Sequence, residues 1–453
     1  MTEPYDLLLT GGQVFTPSGL VEADVAVRDG RIAAIGALSD VTAAETVPLR
    51  GLTVLPGVID TQVHFREPGP VHKEDLESGT RAAALGGVTA VFEMPNTKPA
   101  TITAADLNNK LSRARGRAWT DHAFFVGAAA ENVAELSTLE RLPGCCGVKI
   151  FMGSSTGSLL VEDDDTLLEV LRSGRRRVAV HAEDEGRLRE RQTLVEGGAD
   201  PAMHPVWRDE ETARRATERI IRLAREAGRP VHVLHVTTAD ELPLLADAKG
   251  VVSCEVTPQH LTLAAPECYE RLGTYAQMNP PIRAEHHREA LWEGVRSGLF
   301  DVLGSDHAPH TAEEKAAGYP RTPSGMPGVQ TLLPLMLDHV AAGRLTLARL
   351  VDLTSAGPLR LYGIAGKGRI ALGWDADFTV VDLTARRTIE GSWLASKCGW
   401  SPFEGQTVTG WPIMTIVRGR TVMREDTLLG EPAGRPVRFN DGLRELQEAG
   451  CAV

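Results

Sequence analysis

With 453 residues, the chain can bury a large core and is too long for one small domain, so one large barrel-type domain plus a smaller one is expected. A formal net charge of −12 disfavours non-specific nucleic-acid binding, which needs a basic face, although one local arginine can still hold a small anion. No run of about 18 apolar residues exists to span a membrane. The opening "MTEPYDLLLT" has neither a basic n-region nor an apolar signal core, which predicts no secretory peptide. Six cysteines (Cys145, Cys146, Cys254, Cys268, Cys398, Cys451) make no Cys-x-x-Cys pair. That pattern predicts a reducing cytoplasm and argues against a zinc ribbon or a disulfide framework.

The first fifty residues read as short strands. "YDLLLTGGQVFT" and "ADVAVRDGRIAAIG" are apolar runs broken by Gly12 and by the Asp29-Gly30 hairpin signal. The same texture returns in "DADFTVVDL" and "IMTIVRGRTVM". Neither end holds enough strands for a sandwich of its own. Residues 1–55 and 366–430 are therefore expected to pair into one small β-sandwich, with a tail over 431–453.

Residues 56–365 have another rhythm. Strand-like runs occur at "LTVLPGVID", "VTAVFEM", "DHAFFVG", "GVKIFM", "RVAVHAE", "PVHVLHV", "VVSCEV" and "FDVLGSD". Between most of them lie segments with helical spacing, such as "DEETARRATERIIRLAREAG". Eight strands alternating with helices predict an α/β fold of the (β/α)₈ TIM-barrel type. A doubly wound open sheet accounts for the count less well, and no glycine-rich dinucleotide fingerprint follows a strand. After the eighth strand, "HTAEEKAAGYPRTPSGMPG" reads as a long, mobile loop over the barrel mouth.

A barrel builds its site at the C-terminal ends of its strands. His64 follows the first strand, Lys149 lies in the fourth, and His181, His235 and Asp306 end the fifth, sixth and eighth. One histidine in an apolar strand is ordinarily a hydrogen-bonded core residue, but five ligand-capable residues at equivalent positions are hard to obtain by accident. Neutral imidazoles and a carboxylate suit zinc-like ions. Desolvation and nearby positive charge favour the neutral lysine amine, which can take up carbon dioxide as an anionic carbamate. Such a carbamate can bridge two metals roughly 3.5–4 Å apart that activate a water. Asp306 would then accept the proton and pass it to a leaving nitrogen. The bland reading of Lys149 is a lysine snorkelling from a strand end.

"PGVIDTQVHFREPG", "EMPNTKPA", "GVKIFMGSSTG", "VHAED", "LHVTT", "MNPPIR" and "GSDHAPHTAEEK" resemble the dihydroorotases of the amidohydrolase superfamily, in that family's order and through the whole barrel. The terminal β-halves are similar to the composite sandwich of the same enzymes. The resemblance implies that His64, Asp306 and a carboxylated Lys149 hold one metal. His181 and His235 would hold a second that shares the Lys149 carbamate. It further implies zinc, one or two ions per subunit, with N6-carboxylysine as the bridge. Arg66, Asn96 and His310 would hold a substrate carboxylate and Asn279 the ring; a planar arginine beside amide and imidazole donors suits such a group. Read without the resemblance, Arg66 is a rim charge and Asn96 a turn residue beside proline.

Other histidines carry less. His232 and His235 are three apart in a strand and so should face opposite ways, making His232 a helix-facing structural residue. His286 and His287 read as solvated on a helix, and His260 of "TPQHL" as structural or lining the mouth.

Two departures from the family pattern stand out. Many members have "TPHHL" where this chain has "TPQHL", and the family usually has His where this chain has Gln62. Gln62 is then a weak neutral ligand or a hydrogen-bonding residue that orients a water or Asp306. The expectation is an altered site that still works, because Asp306, Lys149 and the carboxylate-binding set remain.

The implied activity is metal-dependent interconversion of N-carbamoyl-aspartate and dihydroorotate, a step in making pyrimidines. An allantoinase is the enzymatic rival. A non-catalytic partner of aspartate transcarbamoylase is the rival of another class. A cytoplasmic homo-oligomer, dimer or tetramer, with no nucleic-acid or membrane partner, completes the expectation, and aspartate transcarbamoylase remains a candidate partner.

Overall fold

The computed structural model of the protein describes residues 4–155 and 159–440. Five strands come first: β1 (Tyr5–Thr16), β2 (Gly19–Arg28), β3 (Arg31–Gly36), β4 (Ala43–Pro48) and β5 (Thr53–Pro56). Eight more follow between helices: β6 (Val58–Val63), β7 (Val88–Glu93), β8 (Asp121–Gly127), β9 (Cys145–Phe151), β10 (Val178–His181), β11 (Val231–Val233), β12 (Val252–Val256) and β13 (Val302–Leu303). The last four are β14 (Phe378–Thr388), β15 (Thr407–Val417), β16 (Arg420–Arg424) and β17 (Thr427–Leu428).

Strands β6 to β13 pair in sequence order as one eight-stranded parallel sheet. A parallel bridge from Val63 to His307 brings its two ends together, and the His64 N–H donates to His307 O at 2.7 Å. The crossovers follow helical chemistry. In the helix Glu210–Ala227, Asp209 caps the start by accepting from Thr212 N, and Gly228 ends it at φ +65°. Its buried Ala213, Ala216, Ile220 and Leu223 recur at helical spacing and cover the barrel.

The terminal strands form a separate nine-stranded sheet in the order β17-β16-β15-β14-β5-β1-β2-β3, with β4 beside β1. Leu7, Val25 and Val27 from the first half share one apolar core with Phe378, Val380, Met414 and Ile416 from the second. The run "LTVLPGVID" is thus two strands rather than one, β5 in the terminal sheet and β6 in the barrel. Gly57 separates them, where an added Cβ would lie 2.4 Å from Thr89 Oγ1.

Three expectations need correction. His232 faces the barrel interior, touching Tyr362 edge-on and bonding Ser253 Oγ at 2.8 Å. The parity argument fails because β11 ends at Val233 and His235 takes a left-handed backbone, φ +37°, that returns its side chain to the mouth. His287 is buried, accepting from Ala239 N at 3.0 Å, whereas His286 is exposed. The segment after β13 is anchored: Lys315 is fully buried and donates to Gln277 O, Pro323 O and Gly325 O.

Within the expected tail, Val437 and Phe439 pack with Phe92, Phe125 and Tyr362 at the barrel base, and residues from 441 onward lie outside the described residues. Cys145, Cys146, Cys254, Cys268 and Cys398 are buried free thiols, and Cys451 lies outside the described residues. No helix among the described residues is long and apolar enough to cross a membrane.

Candidate active site

The mouth of the barrel holds one cavity lined by Gln62, His64, Arg66, Asn96, Lys149, His181, His235, Asn279 and Asp306. These are all the candidate residues except His310. Three of the group, Arg66 (φ +64°), His235 (φ +37°) and Asp306 (φ +44°), have left-handed backbones that side chains disfavour. Strain of this kind persists where the surrounding fold over-determines it.

The donors are arranged as two pairs. His64 Nε2 lies 3.2 Å from Asp306 Oδ1, and His181 Nδ1 lies 3.0 Å from His235 Nε2. Each pair is aimed from behind. His64 Nδ1 meets Asn96 Oδ1 at 2.8 Å, and His181 Nε2 donates to Glu183 Oε2 at 2.9 Å. With those protons committed outward, the lone pairs of both neutral rings face inward. Burial holds His64, His181 and His235 below the usual histidine value, so the neutral form is favoured. His235 Nδ1 is buried and has no hydrogen-bond partner.

Donor atoms set against each other at these separations call for a proton or a cation between them. Two ligands on a tetrahedral ion with bonds of about 2.0 Å sit about 3.3 Å apart, close to both observed separations. Two donors do not fill a zinc-type ion, and no three His, Cys, Asp or Glu side chains form a metal-holding group among the described residues. Lys149 stands in the same cavity, and its charge acts on His64, His181 and His235. A carbamate there would add an anionic oxygen donor to the site. Burial lowers the Lys149 ammonium to about 7, leaving the amine partly neutral at neutral pH. The donor set therefore fits a divalent metal together with a carbamate.

Beneath Lys149 the barrel interior is polar. Thr61 Oγ1 donates to Glu255 Oε2 at 3.1 Å, and Ser305 N donates to Asp60 Oδ1 at 3.0 Å. Desolvation raises Glu255 to about 8 and Asp60 to about 7, so this floor carries less negative charge than its composition suggests.

Gln62 Nε2 donates to Asp306 Oδ1 at 3.0 Å, while its Oε1 is buried without a partner. Arg66 is 3 % exposed; its Nε donates to Pro309 O at 3.3 Å, and its Nη2 lies 3.3 Å from His310 Nε2. Asp306, Glu93, Glu314 and Glu74 act on it through space, but it makes no ion pair among the described residues. His310 stands behind Arg66, its Nδ1 3.0 Å from Lys73 Nζ and its Nε2 3.0 Å from Ser324 O. Asn279 Oδ1 accepts from His204 Nε2 at 3.0 Å, which turns its amide nitrogen the other way. His260 is tied to Thr257 Oγ1 and Pro280 O and does not line the cavity.

Residue-by-residue reading of the sequence missed Glu183, Phe151, Ser155, Ser324 and Gly325. The last four line the cavity, and Lys149 Nζ lies 4.5 Å from the Phe151 ring centroid. Glu183 had a signal, a carboxylate two residues past a strand-end histidine. Ser324 and Gly325 had none beyond lying in a glycine- and proline-rich segment.

Comparison with known proteins agrees with this architecture. The amidohydrolase family model matches residues 53–422. A dihydroorotase of Halobacterium salinarum is 40% identical over 382 residues, covering 83% of this chain and 87% of that one. An allantoinase of Rubrobacter xylanophilus is 38% identical over 451 residues, 96% of this chain and 98% of that one. The solved L-hydantoinase of Arthrobacter aurescens superposes with a TM-score of 0.91 at 33% identity, over 96% of this chain and 99% of that chain. With eight parallel strands, a terminal sheet and this mouth, the chain belongs to the amidohydrolase family, whose members are typically metal-dependent hydrolases.

Proposed function

We propose that the protein is a dihydroorotase, reversibly hydrolysing the ring amide of dihydroorotate to N-carbamoyl-aspartate in pyrimidine synthesis. The observation that carries this reading is Arg66, a buried guanidinium on the cavity wall with no ion pair among the described residues. A buried charge calls for a partner, and dihydroorotate brings an exocyclic carboxylate that matches the planar fork. Asn96 and Asn279 would orient the carboxylate and ring, with His310 bracing Arg66. The proposed metal is zinc, one or two ions, held by His64, Asp306, His181 and His235 with Lys149 as N6-carboxylysine. Bound there, it would polarise the amide carbonyl and acidify a water.

The chain's own groups account for the proton. As water oxygen bonds to the ring carbonyl carbon, Asp306 takes the proton. It returns that proton to the ring nitrogen as the C–N bond breaks, and ring closure reverses both transfers. Gln62 Nε2 keeps the Asp306 carboxylate turned toward the reacting atoms.

Dihydroorotase is the commonest name among the curated relatives, which supports the reading. The similarity to an allantoinase over nearly the whole chain supports a second one, hydrolysis of allantoin by the same centre. Allantoin has no carboxylate for Arg66. A non-catalytic partner of aspartate transcarbamoylase would have no need of Asp306 or of a desolvated Lys149. A cytoplasmic homo-oligomer completes the proposal.

The test is turnover of dihydroorotate and of allantoin by metal-stripped protein titrated with zinc. The expected result is zinc-dependent turnover of dihydroorotate in strong preference to allantoin. Preference for allantoin would replace the assignment, and turnover of neither would favour the non-catalytic reading.

A further inference from the structure

His310 is buried behind Arg66, and its neighbours leave one place for its proton. Lys73 Nζ, which as an ammonium can only donate, lies 3.0 Å from Nδ1, so that nitrogen presents a lone pair. Ser324 O, which can only accept, lies 3.0 Å from Nε2, so that nitrogen carries the proton. Burial, with the charges of Arg66, Lys73 and Lys315, holds His310 well below the usual histidine value and keeps the ring neutral.

That tautomer decides what Arg66 can bind. Its Nε is committed to Pro309 O, and its Nη2 stands 3.3 Å from His310 Nε2. With the proton on Nε2 turned to Ser324 O, His310 offers Nη2 no acceptor, and Nη2 has no other partner among the described residues. The Nη2 hydrogens are left for an incoming anion. The opposite tautomer would satisfy Nη2 within the protein and release Ser324, which lines the cavity beside Gly325.

Glu314 favours that opposite tautomer. Its Oε2 lies 3.8 Å from His310 Nδ1 and would draw a proton onto it. The capping box made with Thr311 fixes this carboxylate in place. Lys73 bridges the two, 3.0 Å from Glu314 Oε1 as well as from Nδ1, with only 14 % of its side chain exposed.

We propose that Lys73 is a positioning residue for the substrate carboxylate. By donating to His310 Nδ1 it fixes the Nε2–H tautomer and so keeps the Arg66 Nη2 hydrogens for the ligand. The kinetic consequence rests on the dihydroorotase reading given above, whereas the tautomer itself does not.

The experiment is nitrogen NMR of the full-length protein carrying isotope-labelled histidine, with His310 assigned by its loss in His310→Gln. Steady-state kinetics accompany it. In the wild type, a neutral His310 protonated on Nε2 is expected. Lys73→Met should move the proton to Nδ1 and raise KM for dihydroorotate about 10-fold, with a smaller change in kcat. Lys73→Arg keeps a charged donor and should restore the tautomer and most of the affinity.

A wild-type His310 that is charged, or protonated on Nδ1, would overturn the inference without recourse to any variant. So would a folded Lys73→Met protein that keeps the Nε2–H tautomer, or one whose tautomer changes while KM does not. A protein that turns over dihydroorotate with His310 protonated on Nδ1 overturns this inference alone. One with the expected tautomer that hydrolyses only allantoin overturns the substrate assignment alone.

Discussion

Glu183 Oε2 accepts a hydrogen bond from His181 Nε2 at 2.9 Å and pairs with Arg208 Nη2 at 2.5 Å. Both contacts are buried, and together with His181 they hold the Glu183 carboxyl well below its ordinary value. A permanently charged carboxylate thus sets which His181 nitrogen carries the proton, leaving Nδ1 to face the cavity. Glu183→Gln is expected to weaken zinc binding about 10- to 100-fold. Competition with a chromophoric chelator measures it, and wild-type affinity would show that the carboxylate does not set the ring.

Asp306 is placed to move a proton, so its loss should fall on kcat. Asp306→Asn is expected to lower kcat in both directions by about 10²- to 10⁴-fold, the range of general acid–base catalysis. Steady-state rates with dihydroorotate and with N-carbamoyl-aspartate check this, with circular dichroism to confirm the fold. A variant that kept most of its activity would remove Asp306 from the mechanism.

Arg66 should act on the substrate's charge. Arg66→Gln is expected to raise KM for dihydroorotate about 10- to 100-fold, equivalent to losing about 1.5–3 kcal/mol of charge-assisted bonding. The same variant should discriminate far less between dihydroorotate and dihydrouracil, which lacks the carboxylate. Paired kcat/KM values on the two substrates decide it. An unchanged ratio would mean that the carboxylate binds elsewhere.

Away from the mouth, Lys367 Nζ lies 2.6 Å from Asp121, which also meets Arg418, and all are largely withdrawn from water. These cations hold Asp121 at about 2, below its ordinary value, whereas burial pushes Asp377, which shares Lys367, upward. A carboxylate with a depressed folded-state pKa stabilises the fold above its unfolded value, and that contribution is lost as pH falls through the folded value. Asp121→Asn should therefore be less stable than wild type by about 3 kcal/mol near pH 7. The gap should narrow between about pH 4 and pH 2. Urea melts at several pH values measure both, and a gap independent of pH would show that charge is not its source.

The (β/α)₈ order was legible because each barrel strand is a short apolar run bounded by turn residues, a local property of the chain. The five strand-end residues His64, Lys149, His181, His235 and Asp306 were legible for the same reason: strand ends can be counted along the sequence and the chemistry lies at one end of the barrel. Gln62 was visible as a departure, yet its bond to Asp306 was not, since the partners are 244 residues apart and meet only when the barrel closes.

Backbone turns and packing account for the rest. Alternation along β11 gave His232 the wrong side because it assumes an unbroken strand, and the left-handed turn at His235 resets the register. The segment after β13 looked mobile by composition, but Lys315 buries its ammonium against three carbonyls contributed partly by a distant loop. Arg66 reads as a rim charge because exposure is not written in residue type. Sequence alone determined the fold class and the strand-end ligand candidates, which depend on patterns within a few residues. The tertiary structure decided which atoms face one another across the mouth and which charges are buried, because those follow from ring closure and from the packing of segments far apart in the chain.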